Sequence, residues 1–187
     1  MKALIPFDTK EMIHRLSHVT ATPLKDVSEF LTNFVANDVH TLETLSKYFK
    51  RGVQLNTTFF NGRMDAVQIS KRIYGDADLI SIKFKQNDYD RIAAIAYGLD
   101  CTPTRATAIL LELASRNVKA VNEYVYLYMN SELTPSQMED LRKVLSYVNR
   151  NNKSNSSWLT LLSRIVGDIR PASQKLYQLV NEFLNDK

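Results

Sequence analysis

Three side chains able to donate hydrogen bonds, Ser81, Lys83 and Lys85, alternate with three apolar ones, Ile80, Ile82 and Phe84, along the stretch Leu79 to Lys85. Alternation with period two belongs to a strand with one face in a core and the other in water. The hydroxyl and the two ammonium groups would then stand in a row, as donors for an acceptor-rich or anionic surface. Further on, Thr102-Pro103-Thr104-Arg105 combines a helix-capping hydroxyl, a proline suited to the first helical position and a guanidinium. The plain alternative is a strand with solvated lysines followed by an ordinary helix start.

Other candidates for chemistry are weaker. His14 and His18 are four apart, as zinc ligands on one helix face would be, but no third ligand is in view and His40 is far off; surface or core histidines explain them as well. Cys101 is the only cysteine, which rules out an internal disulfide and a cysteine-rich zinc site and fits a reducing, cytoplasmic setting. No phosphate-binding glycine loop, acid pair or nucleophile constellation is present, so the reading is of a non-enzymatic protein without cofactor or metal. Tyr124, Tyr126 and Tyr128 could stack on bases, yet on a helix they spread over two faces, which suits packing or a protein interface. Arg142 and Lys143, with Arg150 and Lys153, form a basic cluster that is either a solvated helix end or a set of backbone-phosphate contacts.

Charge limits how a polyanion could be held. The chain of 187 residues carries a net charge of +4. Its basic and acidic residues are interspersed: 8 and 7 in 1–70, 8 and 7 in 71–130, 8 and 6 in 131–187. With no basic arm, binding to nucleic acid must come from a few groups in a defined geometry. No stretch approaches the roughly 18 apolar residues of a membrane span, so no membrane partner is expected.

The elements that would position these groups are mainly helical. Five glycines and five prolines imply long regular elements with few sharp turns. Thr22-Pro23, Thr102-Pro103 and Thr134-Pro135 each read as a helix start. The apolar stripe Val27, Phe30, Leu31, Phe34, Val35, Val39, Leu42 and Leu45 predicts one helix to about Phe49. A second runs from Thr102 to about Met129, and a third from Pro135 to about Val148. Val53 to Phe60 reads as either a hairpin, turning at Asn61-Gly62, or a loop. Asn149 to Ser157 reads as a linker, with two short helices, about 157–166 and 171–185, closing the chain. Asn87 would cap the helix after the alternating strand, with Tyr89, Ile92, Ala93 and Ala96 as its buried face and its end near Gly98.

A lone strand ahead of two helices would expose both edges, so it must find a partner, most simply a second copy of itself. Two such strands make an antiparallel ribbon narrow enough for the major groove of DNA, which Ser81, Lys83 and Lys85 would face.

On the alternating strand Ile80 to Lys85, the helix face Tyr89, Ile92 and Ala96, the turn at Gly98 and the opening Thr102-Pro103-Thr104-Arg105-Ala106, the segment from Leu79 to about Glu123 resembles the ribbon-helix-helix family of the MetJ and Arc repressors. The resemblance implies a sequence-specific regulator of double-stranded DNA, a repressor or a mobile-element accessory protein. Ser81, Lys83 and Lys85 would read bases, Thr102 and Thr104 with the local amides would clamp a phosphate, and Arg105 would add a second phosphate contact. A degenerate copy is expected over 3–49. There Ala3 to Phe7 would be the strand, the first helix would be several residues shorter, and an offset of 80 pairs Thr22 with Thr102 and Asn37 with Asn117. The expected organisation is therefore a degenerate repeat over 1–50, a connector over 51–78, the module over 79–130 and a helical extension over 131–187. Depending on how the strands pair, the protein is either a single-chain pseudo-dimer or a homo-oligomer. The alternative function is a helical protein-interaction module that uses the same fold for dimerisation without binding DNA.

Overall fold

The computed structural model of the protein describes residues 1–69, 76–132 and 134–135. The chain forms two compact units, Met1–Ala120 and Val121–Lys187. The expected helix over 135–148 beyond its first residue, the linker, the last two helices, and Arg142, Lys143, Arg150 and Lys153 lie outside the described residues.

Ala3 and Ile5 are buried while Lys2 and Leu4 between and before them are exposed, so Lys2–Pro6 (β1) is a strand with one wet face. It lies antiparallel to Ala77–Ser81 (β4) of the same chain, with Lys2 opposite Ser81, Ala3 opposite Ile80, Leu4 opposite Leu79 and Pro6 opposite Ala77. The strand at the amino terminus thus finds its partner within the chain. That partner ends at Ser81 and so covers only the start of the alternating stretch Ile80 to Lys85: the ladder is set by Ala3 and Ile80 entering the core together. Pro6 ends β1 and starts Phe7–Val19 (α1), its ring fixing the backbone at a φ of −56°.

Helix Leu24–Asn37 (α2) follows, then Val39–Ser46 (α3), then a hairpin of Val53–Leu55 (β2) and Thr58–Phe60 (β3). After β4 come Gln86–Gly98 (α4), Pro103–Arg116 (α5) and Val118–Glu132 (α6). The core of the first unit is built where α5 packs on α2, α4 and β1 and α1 packs on α2. Leu31, Ile13, Ile92 and Leu110 are all fully buried there.

The two halves correspond at an offset of 79, in place of the 80 read from Thr-Pro pairs. Phe7 and Val19 bound α1 as Gln86 and Gly98 bound α4. Leu24 and Asn37 bound α2 as Pro103 and Arg116 bound α5. The expected shortening of the first helix is absent, both being 13 residues long. Ala21 and Asp100, matched by this offset, both take positive φ between their helices, 49° and 54°. The hydroxyls of Ser28 and Thr107 donate to the carbonyls of Leu24 and Pro103, again 79 apart. Burial selects this register because Leu31 then matches Leu110 and Val35 matches Ala114, all inside.

Neither long helix is continuous. Asp38 breaks the first and Asn117 the second, each in extended conformation. The Asp38 carboxylate accepts from the Thr41 amide at 2.9 Å, and Asn117 Oδ1 accepts from the amides of Lys119 and Ala120. An Asx side chain offers the chain a local alternative to the helical ladder, and the apolar spacing running through both positions conceals the break. The Thr41 hydroxyl, followed by the Thr41 amide and then Lys119 and His40, holds the Asp38 carboxyl below its ordinary value against a smaller push from burial. Its capping contribution is therefore complete above the ordinary carboxylate range and is lost as pH falls through the depressed value. Asp38→Ala should cost about 0.5–2 kcal/mol in denaturant unfolding at neutral pH and less at a pH where the carboxyl is protonated.

Two further expectations shift. The first helical bond after β4 runs from the Tyr89 amide to the Lys85 carbonyl, so α4 starts at Gln86 with Lys85 as its cap position, and Asn87 is already helical. The hairpin turns at Asn56-Thr57, with Asn56 at a φ of 53°, and Asn61-Gly62 lies beyond β3. This hairpin packs on α4. Lys50 and Arg51 donate to the Gly98 carbonyl, Arg51 pairs with Asp100 at 2.7 Å, and its guanidinium lies over the Tyr97 ring. A Cβ on Gly62 would run into the Arg51 backbone. Gly62→Ala should accordingly destabilise the protein by about 1–3 kcal/mol, read as a lower denaturant midpoint.

Candidate nucleic-acid interface

The outward face of the β1–β4 ribbon carries Lys2 opposite Ser81, Leu4 opposite Leu79, and Pro6 opposite Ala77. Ser81 stands where the sequence placed it, exposed at the end of β4. Lys83 and Lys85 do not belong to the strand. Both are exposed, but β4 ends at Ser81 and the two lysines lie on the segment leading into α4. Ile82 and Met1 still exchange bonds, the Met1 amine donating to the Ile82 carbonyl at 2.6 Å and the Ile82 amide to the Met1 carbonyl at 2.8 Å. The β1–β4 ladder closes at Lys2 opposite Ser81, with Met1 and Ile82 bonded just beyond it. Ile80 and Ile82 are buried as read from the alternation, whereas Phe84 is half-buried.

Lys83 lies by a groove of about 500 Å³ lined also by Met1, Phe84, Tyr89, Pro103 and Thr104. The structure thus brings Lys83 and Thr104 together at the amino end of α5. Thr102 caps that helix, its hydroxyl accepting from the Arg105 amide at 3.2 Å. Thr102 and Thr104 are exposed and Arg105 is half-buried. The Thr107 hydroxyl donates to the Pro103 carbonyl and contacts Met1 Sδ at 3.0 Å, which ties the amino terminus to the same helix. Aligned peptide dipoles make such an end electropositive, and the Lys83 ammonium adds a full charge.

The other candidates are dispersed. His14 and His18 are both exposed on α1, and among the described residues no group of three metal-ligating side chains forms. Cys101 is half-buried in the turn between α4 and α5, its amide bonded to the Ala96 carbonyl. On α6, Tyr124 is buried, while burial, Glu132 and Tyr124 push the Tyr128 phenol above its ordinary value. A second groove, of about 380 Å³, mixes Asp38 with His40, Arg116 and Lys119. Two contributors were missed in the sequence: Met1, as the partner of Ile82, and the Arg51–Tyr97–Asp100 lock.

The unit Met1–Ala120 is mainly helical, with a short intramolecular antiparallel ribbon leading into two helix pairs. Compared with models of known families, with curated proteins and with solved structures, the chain gives no match. No helix among the described residues is long and apolar enough to cross a membrane.

Proposed function

We propose that the protein is a sequence-specific binder of double-stranded DNA, a regulator of the repressor or mobile-element accessory kind, which lays the β1–β4 ribbon in the major groove after the manner of ribbon-helix-helix proteins. The observation that carries this reading is the pairing of β1 with β4 in one chain, each strand running into a helix pair of the same lengths. Paired strands lie about 4.8 Å apart, so a two-stranded ribbon with its side chains fits a groove about 12 Å wide. Lys2, Ser81, Lys83 and Lys85 are the donors on or beside that face. The amino end of α5, with Thr102, Thr104 and Arg105, suits a backbone phosphate, as helix amino ends do. Selection from a random duplex library is the test: enrichment of a defined sequence supports the reading, and failure to enrich any sequence overturns it.

A second reading is favoured by one observation. Leu4, Leu79 and Phe7 are large apolar side chains left 46%, 53% and 54% exposed at the ribbon. Exposed apolar clusters commonly mark contact surfaces, and under this reading the ribbon face would meet another protein. Concentration-dependent association in sedimentation, together with failure to enrich any duplex, favours this second reading over the first.

A further inference from the structure

The two halves that share a backbone pattern do not share side chains where DNA would lie. The offset of 79 makes Lys2 the equivalent of Ser81, and these two face each other in the ladder. They therefore mark the centre about which the halves are related. Moving outward from that centre along β1 come Leu4 and Pro6, paired with Leu79 and Ala77. Their equivalents on the other side are Lys83 and Lys85. The ribbon face is apolar on one side of that centre, and on the other side the segment leading from β4 into α4 is cationic.

The helix ends repeat this inequality. Thr102, whose hydroxyl caps α5, corresponds to Pro23, which provides no side-chain cap to α2. Arg105 in the first turn of α5 corresponds to Asp26 in the first turn of α2. A carboxylate there repels a phosphate that a guanidinium would attract. At the tip of the apolar arm, Asp78 holds Lys10 at 2.6 Å, so that lysine's charge is already engaged.

Resting on the DNA-binding reading above, we infer that the protein recognises a non-palindromic duplex and binds it in one orientation. The Lys83 and Lys85 arm takes guanine edges and, beside α5, a backbone phosphate; the Leu4 and Leu79 arm takes thymine methyl groups. Lysine donates to guanine O6 and N7, and apolar side chains pack on the thymine C5-methyl. A homodimeric ribbon presents identical arms and reads inverted repeats; this chain has fused unlike arms and has no reason to.

The test begins with the full chain and a random duplex library, followed by fluorescence anisotropy and phosphate-ethylation interference on the enriched sequence. The expected consensus lacks two-fold symmetry, and ethylation interferes on one flank only. Replacing thymines of the contacted half by uracil should weaken wild-type binding about three- to fivefold per methyl removed. It should leave a Leu4→Ala, Leu79→Ala variant, whose changes are on the exposed face, unaffected. An inverted-repeat consensus, interference on both flanks, or equal uracil sensitivity of variant and wild type overturns the inference while leaving DNA binding in place. No enriched sequence overturns the DNA-binding reading itself, and the inference falls with it.

Discussion

Ile80→Asp should unfold the protein, whereas Leu79→Asp, one residue away on the same strand, should leave its melting temperature nearly unchanged. Ile80 is 1% exposed and sits opposite Ala3, itself fully buried, so a carboxylate there would enter the core without a partner. Burying an uncompensated charge, on top of the lost apolar contact, belongs to the class of changes costing about 4–5 kcal/mol or more, a large share of the roughly 5–15 kcal/mol that holds a domain together. Leu79 points to water from the opposite face of the ribbon. Thermal unfolding followed by circular dichroism checks both. Equal melting temperatures for the two variants would show that the ribbon is out of phase with the pairing of Ala3 and Ile80.

The second large effect concerns DNA. Changing Lys83 and Lys85 together to Ala should weaken binding to a selected duplex by roughly 1–3 kcal/mol for each lost contact. The fold should be unaffected, because both ammonium groups are exposed and neither belongs to the ladder. Since the two side chains lie beside the strand, and Lys83 borders the groove at the start of α5, part of their contribution is expected to be to phosphate. The salt dependence of binding should then become shallower by nearly one counterion for each phosphate contact removed. Anisotropy titrations at several salt concentrations read both quantities. An unchanged affinity and slope, with an unchanged melting curve, would remove these lysines from the interface.

Much of this architecture was legible in local pattern. The alternation at Ile80 and Ile82, the Thr102-Pro103 helix start, Ile92 and Ala96 of the expected buried face (Tyr89, by contrast, is exposed) and the existence of an amino-terminal counterpart all follow from period and punctuation, which depend on neighbours in sequence. The need for a partner strand was legible too, because unpaired backbone groups must be satisfied somewhere.

What the sequence could not determine was everything set by long-range packing. Whether β1 pairs within its chain, and that Lys2 meets Ser81, depend on Ala3 and Ile80 entering one core, a contact between residues far apart in the chain. β4 ends at Ser81, which leaves Lys83 and Lys85 on the segment leading into α4, and the register brings Met1 opposite Ile82. The breaks at Asp38 and Asn117 were hidden because the apolar stripes continue through them, and only the folded chain shows an Asx side chain taking the amides that the helix would have used. The offset of 79 against 80 is the same lesson at larger scale. Matching Thr-Pro pairs aligns letters, whereas Leu31 with Leu110 aligns what is buried, and burial is what a folded core selects.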